Sequence, residues 1–376
     1  MNKRIIIRLL LLAAAALSAA GCQWRDLDYE FIDTAQITII YDWSESGLAT
    51  KAQPTSIVPG DIINGRTAAF YPMDGGAPVV KLSHSDTVKV NLLVGKYKAV
   101  FFNETFEDFD NIRFENINSF EELAAIAKED VVATSRAGGA IARQPDILAV
   151  DMMVPFEVTE DMVRYTRSLE TRKTKAQFDA RAARAAKAME EAMTVVAKPK
   201  SVVYKVFLDI IVEGRKSIAS SGAYVSGFAG GFDFSEGHAN GVSVTHKVNF
   251  TDIAECTTGE GDGILSATFQ CFGFRNGSSS SLSGYTLDFR ASLINGEVFQ
   301  TSRRLDDLIR TDTENGHIVI RINVGDGSGG GGGGDPDDPE AGNKPIPIPD
   351  VQPVDSGGGW QIEVGDWDEI IIPIDM

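Results

Sequence analysis

The chain has 376 residues, of which 43% are hydrophobic, and this length is enough for two domains with packed cores. Its 53 acidic and 35 basic side chains give a net charge of −18, a sign that repels a phosphate backbone. Three Cys and four His are too few for zinc clusters or iron–sulfur centres, which need about four ligands each. The composition therefore argues against a nucleic acid partner, a bound metal and a cofactor.

The N-terminus has the pattern of a secretory signal. Lys3 and Arg4 precede an apolar stretch at 9–17, which is about half the roughly 20 residues that a membrane-spanning helix needs. Small residues at 18–21 lead to Cys22, and this junction resembles the lipobox of bacterial lipoproteins, in which the cysteine is acylated. We expect Cys22 to carry the lipid anchor, such as palmitate. The alternative is an ordinary secreted protein with one odd thiol.

The mature chain begins with the pattern of a β-sheet protein. Ile37, Ile39 and Tyr41 alternate with more polar residues, which is the period of a strand with one buried face. Residues 88–102 are β-prone on both sides of Gly95 and predict a hairpin.

One short helix is predicted within this region. Ser119 and Glu122 have the spacing of a capping box, in which each side chain satisfies a free backbone N–H, and residues 123–127 that follow are apolar. We expect this helix to cover one end of the first sheet.

A longer amphipathic helix is predicted at 174–197, in a segment with ten basic and four acidic residues between 164 and 200. Its apolar stripe consists of Phe178, Ala182, Ala185, Met189, Ala192 and Val196. Either the stripe packs on the protein and the charges are solvated, or the segment binds anionic headgroups or an acidic partner. The basic residues of that possible contact surface are Arg164, Arg167, Arg181, Arg184 and Lys187.

The β pattern returns after Ser201. Strands separated by turn residues favour a second β-sandwich, and we expect them at 203–212, 242–250, 264–274, 285–293, 298–302 and 317–324. Residues 326–358 then predict a linker, because six consecutive Gly at 329–334 favour flexibility and the Ile-Pro repeat at 345–349 favours extended polyproline.

The C-terminal tail, 359–376, is β-prone. An unpaired apolar strand is an aggregation hazard, so we expect the tail to pair either with its own sheet or with that of a neighbouring molecule. The residues predicted to take part in strand pairing are Trp360, Ile362, Val364, Trp367, Ile370 and Ile372.

Two cysteines remain once Cys22 is assigned to the lipid. Cys256 and Cys271 flank a Gly-rich turn at 257–263. They form either a disulfide across a hairpin, which would persist in an oxidising compartment, or two reduced buried thiols.

The sequence contains none of the common catalytic motifs. There is no His-Glu-x-x-His zinc helix, no Gly-x-Ser-x-Gly elbow and no phosphate-binding Gly-x-x-x-x-Gly-Lys-Ser/Thr loop. The four histidines stand apart and are predicted to be surface or strand residues rather than ligands: His84, His238, His246 and His317. We therefore expect no catalytic residue and no enzyme activity.

Several short segments in a fixed order resemble the fimbrillin-like surface lipoproteins of the Bacteroidales, and in particular a family in that group named only as a domain of unknown function. Besides the lipobox at Cys22, the segments are 37–43, 93–97 with the strand to Asn103, 116–120, 203–207, 226–231, 272–274 and the Ile run after Trp367. The basic segment at 164–200 departs from that pattern, which puts polymerisation in doubt.

The resemblance implies two sandwich domains of transthyretin-like topology and a role in adhesion or fimbriae, where one subunit's strand completes another's sheet. The predicted fold is mainly β, with two transthyretin-like or immunoglobulin-like β-sandwich domains, a short helix and one long inserted amphipathic helix. The predicted boundaries are signal 1–21, N-terminal sandwich 22–160, helical insertion 161–200, C-terminal sandwich 201–325, linker 326–358 and tail 359–376.

The predicted function is that of a non-enzymatic, lipid-anchored protein of the outer membrane or cell surface, serving as an anchor, tip or accessory subunit of a fimbria. Its expected partners are the membrane, through the lipid, together with other fimbrial subunits or ligands on host or bacterial surfaces. The alternative is a carbohydrate-binding surface lipoprotein, in which Trp and Tyr on a sandwich edge stack on sugar rings.

Overall fold

The structure is a computed structural model that describes residues 34–46, 65–134, 140–172, 180–250, 252–255, 261–278, 283–314, 317–327 and 343–353. The predicted lipid anchor Cys22, residues 328–342 of the predicted linker and the predicted pairing residues of the tail lie outside these ranges.

The first part of the described chain contains twelve strands and two helices. The strands are β1 (Thr34–Tyr41), β2 (Arg66–Pro72), β3 (Val79–Ser83), β4 (Thr87–Leu93), β5 (Gly95–Asn103), β6 (Ile112–Glu115), β7 (Ala124–Ala127), β8 (Glu129–Thr134), β9 (Ala140–Ala142), β10 (Ala149–Val158), β11 (Thr194–Ala197) and β12 (Lys200–Ser201). The helices, between β10 and β11, are α1 (Glu160–Arg172) and α2 (Ala180–Ala192).

The second part contributes strands without further α-helices in the described ranges. They are β13 (Tyr204–Glu213), β14 (Ile218–Ala229), β15 (Gly231–Asp233), β16 (His238–Ala239), β17 (Ser243–Phe250), β18 (Asp252–Ala254), β19 (Gly263–Cys271), β20 (Thr286–Leu293), β21 (Val298–Arg304), β22 (Ile309–Glu314), β23 (His317–Val324) and β24 (Ile346–Pro347).

The first sheet pair consists of a three-stranded sheet, β11-β1-β4, and a five-stranded sheet, β12-β10-β5-β2-β3. One apolar cluster joins them, with Ile37 and Ile39 contributed by the smaller sheet and Phe70 and Phe101 by the larger. The strand at 34–41 buries alternate residues, as the period of two predicts.

Helix α1 covers the part of the β1 edge that β11 leaves free. The ladder between β1 and β11 begins at Thr38, and upstream of it the Gln36 backbone N–H donates to the Thr166 hydroxyl at 3.1 Å. Val163 of the same helix is buried in the apolar cluster. A covered edge no longer offers free backbone groups to another strand.

The second sheet pair consists of a sheet in the order β18-β19-β13-β23-β22, with β24 also on β13, and a sheet in the order β21-β20-β14-β17-β9-β8. Its cluster receives Leu208 and Ile322 from the first of these sheets and Val225 and Phe289 from the second. All four side chains are buried.

A third apolar cluster joins the two sheet pairs. Val100 and Phe102, on the other face of β5, belong to this cluster together with Phe232 of β15 and Phe234 just after it. β15 is part of a four-stranded sheet in the order β16-β15-β7-β6. The mainly β class is therefore confirmed. The division into two sandwich domains stays an interpretation.

The predicted hairpin at 88–102 is wrong in its pairing, although both strands are present. β4 pairs with β1, whereas β5 pairs with β2 and β10, so the chain crosses from one sheet to the other at Val94. The alternation of Val88, Val90 and Leu92 fixes which face of β4 is buried but not which strand lies beside it.

The predicted short helix at 119–127 is wrong, because the segment is a turn followed by β7. The Glu122 N–H donates to the Ser119 carbonyl at 3.3 Å, so the capping-box residues form only the turn. β7 then pairs with β6 on one side and β15 on the other. Helix propensity is worth less than about 1 kcal/mol per residue, and two ladders of hydrogen bonds outweigh it.

The predicted long helix at 174–197 is wrong at its C-terminal end. α2 ends at Ala192, and Thr194–Ala197 forms β11, a parallel partner of β1. β-Branched residues favour this strand, in which Val195 is buried and Val196, predicted to lie in the stripe, is exposed.

Residues 343–348, in the second half of the predicted linker, pack against the second sheet pair. Val324 lies opposite Ile210 and Ile346 opposite Val212, so β24 continues the place of β23 beside β13. Ile346 and Ile348 are buried in the second cluster. The chain thus leaves the sheet after β23 and returns at β24 to the same side of β13.

Asn343 ties the two ends of this excursion together. Its side-chain oxygen accepts a hydrogen bond from the Gly325 N–H at 2.6 Å, and its amide donates to the Asn323 carbonyl at 3.2 Å and to Asp326 Oδ1 at 2.7 Å. The residue is buried. It therefore fixes where the chain re-enters the sheet.

Asn343→Ala is expected to lower the free energy of unfolding by about 2 kcal/mol, because it removes three hydrogen bonds and leaves the buried Gly325 N–H without its acceptor. Denaturant titration measures this change. Lys344→Ala is the control, since Lys344 is exposed and surface substitutions change stability by about 0.5 kcal/mol or less. Equal stability of the two variants would contradict the role of Asn343.

Candidate functional site at the sheet edges

The titratable side chains of the described residues do not converge. Within those ranges no group of three or more His, Cys, Asp or Glu has the geometry of a metal site. One set of charged and aromatic groups links the turn after β1 to β2: the Asp86 carboxylate accepts hydrogen bonds from the Trp43 indole at 2.9 Å and from Arg66 Nε at 2.8 Å. With both donors committed to one carboxylate, the set has a structural role.

Of the four histidines, His246 alone is fully buried among the described residues. It lies on β17 and packs its ring against Phe269, 5.3 Å between centroids, and neither ring nitrogen has a hydrogen-bond partner. Burial lowers its pKa from 6.5 to about 4. The histidine is therefore a neutral core residue, not a ligand or a base.

Cys271 is a free thiol at the end of β19. Burial raises its pKa to about 12, and its sulfur accepts a hydrogen bond from the Gly273 N–H. Cys256 lies outside the described residues, so the predicted alternatives for the two cysteines, a hairpin disulfide or two reduced thiols, stay a prediction.

The predicted basic contact surface is only partly described. Arg164 pairs with Glu160 of its own helix at 2.8 Å, and Lys187 lies 3.9 Å from Glu191. Arg167 and Arg184 are exposed, and the side chain of Arg181 lies outside the described residues. The charges of Arg164 and Lys187 are thus partly balanced within their own helices.

The sheet edges differ in what they offer to a partner. β22 carries Arg310 and Asp312 toward solvent, and β21 carries Gln300, Ser302 and Arg304 there. Charged and polar side chains on an edge discourage pairing with another strand.

The edge formed by β3 is different. β3 is the last strand of the five-stranded sheet and pairs only with β2 among the described residues. Val80 is 40% exposed and Leu82 is 50% exposed, and both lie on one face of the strand. An added strand would find free backbone groups and two apolar side chains there.

This edge was not predicted from the sequence. No strand was expected at Val79–Ser83, although Val79, Val80 and Leu82 are β-prone and follow the turn residues Asp74, Gly75 and Gly76. Their position directly after a turn that follows a strand was the available signal for a hairpin partner.

The last described residues pack at the end of β13. The Ile348 N–H donates to the Glu213 carbonyl at 2.8 Å, and Asp350 lies 3.2 Å from Lys216. Glu213 is about 30 Å along β13 from Tyr204, where the chain enters from the first sheet pair. Residues 348–350 therefore lie at the opposite end of β13 from that entry.

The family described as Domain of unknown function (DUF5119) matches residues 21–249, which is more than half of the chain. The chain belongs to this family. The family that the sequence resembled, named only as a domain of unknown function, is thereby confirmed. No curated protein matches the sequence.

Several solved structures resemble the fold at low identity. A candidate adhesin from Bacteroides ovatus is 16% identical, with a TM-score of 0.49 over 75% of this chain and 86% of that one. The fimbrial anchor protein Mfa2 from Porphyromonas gingivalis is 11% identical, with a TM-score of 0.39 over 76% and 95%. A candidate polysaccharide-binding protein from Bacteroides thetaiotaomicron is 7% identical, with a TM-score of 0.38 over 70% and 78%. None of these scores reaches 0.5, so the similarities do not define the function of this chain.

The stability of the protein is expected to fall in mild acid because of His246. In the unfolded chain this histidine binds a proton with a pKa near 6.5, whereas in the folded chain its pKa is near 4. The resulting loss in the free energy of unfolding is therefore absent above about pH 7 and grows as the pH falls from 6.5 to 4. The free energy of unfolding falls by up to about 1.4 kcal/mol per pH unit in this range, and the total loss is about 3 kcal/mol.

Denaturant titration between pH 4 and 7.5 measures this loss, and His246→Leu should remove that part of the pH dependence. His317→Leu, at a partly exposed histidine on β23, is the control and should leave it unchanged. An identical pH profile for the wild type and His246→Leu would contradict the assignment.

Proposed function

We propose that this chain is a non-enzymatic, lipid-anchored protein of the outer membrane or cell surface that serves as a fimbria-associated adhesion subunit. The observation that carries the proposal is the β3 edge, where Val80 and Leu82 are exposed beside a backbone that pairs only with β2 among the described residues. Strand addition at such an edge takes its affinity from main-chain hydrogen bonds and its specificity from alternate side chains.

The tail is the proposed donor strand. Trp360, Ile362 and Val364 alternate with other residues, so one face of an extended tail would be apolar. Residues 354–376 span about 75 Å when extended, which is enough to reach a neighbouring molecule. β24 and β23 already occupy the side of β13 next to the point where the tail leaves, and this favours pairing in trans.

The surface of the described residues favours contacts over catalysis. Its titratable groups are dispersed, and the buried His246 and Cys271 have pKa values shifted away from catalytic use. Within the same residues no Trp, Tyr or Phe is among the exposed large side chains that a sugar-stacking platform needs, so no observation favours the carbohydrate-binding alternative.

The proposed attachment depends on lipid at Cys22. Among the described helices, none is long and apolar enough to cross a membrane. Cys22→Ala is therefore expected to move the protein from the membrane fraction to the soluble fraction, because acyl chains contribute about 0.8 kcal/mol per buried CH₂. Cell fractionation and immunoblotting measure the shift, with Cys271→Ala as the matched cysteine control. A Cys22→Ala protein that stays with the membrane would refute the anchor.

Removing residues 356–376 is expected to abolish incorporation into surface filaments and leave the free energy of unfolding of the monomer within about 0.5 kcal/mol, because the packed segment 343–351 is retained. The double variant Val80→Lys, Leu82→Lys should show the same two results, since both residues are exposed. Immunogold labelling and denaturant titration are the measurements.

Ile318→Lys, an exposed apolar residue on β23, is the control and should assemble normally. A loss of monomer stability on removing the tail would show that it completes its own sheet. Normal assembly of the β3 double variant would show that the acceptor is another edge.

A further inference from the structure

A hollow of about 320 Å³ lies where the chain crosses between two sheets, from β7 to β8. β7 belongs to the four-stranded sheet, and β8, which follows Lys128 directly, belongs to the second sheet pair. The Lys128 N–H donates to the Asn111 carbonyl at 2.8 Å on one side of this crossing. On the other side the Lys128 carbonyl accepts from the Arg143 N–H at 2.8 Å. The backbone at the hollow is therefore fixed from both sides.

Four charged side chains line the hollow, and three of them are basic. Arg113 lies on β6, Lys128 at the crossing and Arg143 just after β9, and the fourth side chain is that of Glu129. The fold thus brings together three cations that are far apart in the chain. In a protein with a net charge of −18, this lining has the opposite sign to the molecule as a whole.

The Lys128 ammonium has no carboxylate partner among the described residues. Its Nζ donates to the Phe109 carbonyl at 3.0 Å and to the Asp110 carbonyl at 2.8 Å, and both acceptors are neutral. An ammonium group has three N–H donors, so one is left for a ligand. The two carbonyl groups hold the positive charge at the hollow without neutralising it.

The two arginines are oriented by carboxylates that engage only part of each guanidinium. Arg143 Nε donates to Asp130 Oδ1 at 2.8 Å, and Arg113 Nη1 lies 2.5 Å from Glu115 Oε1. Within the part of the chain that the structure describes, their other N–H groups have no partner. A guanidinium can bind a carboxylate through two parallel hydrogen bonds. Each arginine is therefore able to receive one carboxylate of a ligand.

We propose that this hollow binds a small organic acid with two carboxylate groups. Arg113 and Arg143 would each receive one carboxylate, and the remaining Lys128 N–H adds a further donor. The volume is at the lower end of the range of small-molecule pockets, which suits a compact ligand. The site is distinct from the β3 edge, and the inference does not rest on the proposed function.

The affinity is expected to be modest. The Arg113 and Arg143 side chains are 50% and 48% exposed, and each is already close to a carboxylate of its own. Exposed ion pairs are weakened by solvent, so we expect a Kd on the order of 1 mM at low ionic strength.

The test is the binding of succinate to the full chain, measured by saturation-transfer NMR, with succinamide as the neutral ligand of similar shape. Arg113→Gln and Arg143→Gln should each raise the Kd of succinate about fivefold, because each removes one guanidinium. Glu129→Gln removes a negative charge from the lining and should lower the Kd about twofold.

Arg304→Gln is the matched control. Arg304 also pairs with a carboxylate, that of Asp306 at 2.6 Å, and its side chain is 56% exposed, but it does not line the hollow. Its replacement should leave the Kd of succinate unchanged. Denaturant midpoints equal to that of the wild type would exclude unfolding as the cause of weaker binding in the other variants.

No saturation transfer to succinate in the wild type would overturn the proposal, and so would equal Kd values in the wild type, Arg113→Gln and Arg143→Gln. Succinamide or phosphate that binds as tightly as succinate would overturn the assignment to carboxylates. An equal loss in Arg304→Gln would show attraction by the overall charge rather than by this hollow. Because binding is measured on the unassembled chain, none of these outcomes depends on incorporation into filaments.

Discussion

Burial of β5 on both faces is the constraint on which the arrangement of the chain depends. Phe101 points into the cluster of the first sheet pair, and Phe102 points into the cluster that joins the first pair to the second. Successive side chains of a strand point to opposite faces, so a single strand supplies both cores. Full burial of a Phe side chain is worth about 1.5–3 kcal/mol, and a change in the register of β5 would exchange the two faces and weaken both clusters.

This constraint explains which features the sequence could predict. The alternation of Ile37, Ile39 and Tyr41 depends only on the strand itself, so β1 was predicted correctly. Strand pairing depends on residues far away in the chain, and for this reason the crossing at Val94 was taken for a hairpin. Ala124–Ala127 looked helical because apolar residues follow a capping box, but it pairs with the preceding strand β6 on one side and with β15, about 100 residues later, on the other.

The glycine-rich excursion shows a second limit of sequence patterns. Residues 329–334 predict flexibility by composition, and nothing in that composition indicates that the chain returns to the strand position it left. The return depends on one buried amide, Asn343, and on the burial of Ile346 and Ile348 within the Ile-Pro repeat. An alternating Ile-Pro pattern is typical of an extended linker, and it also suits an edge strand, since proline lacks an N–H and is tolerated where that side is unpaired.

The edges of the sheets are protected unequally, and this inequality carries functional meaning. β1 is covered by α1 through Thr166, and β22 presents charges. The β3 edge carries one exposed charge, Lys81, but the opposite face of the strand exposes Val80 and Leu82, where a lysine would discourage pairing at little cost to the fold. A protein with a net charge of −18 has many charged residues with which to protect an edge. The proposed contact at β3 rests on this difference, because an exposed pair of apolar side chains on an edge strand without a partner favours aggregation.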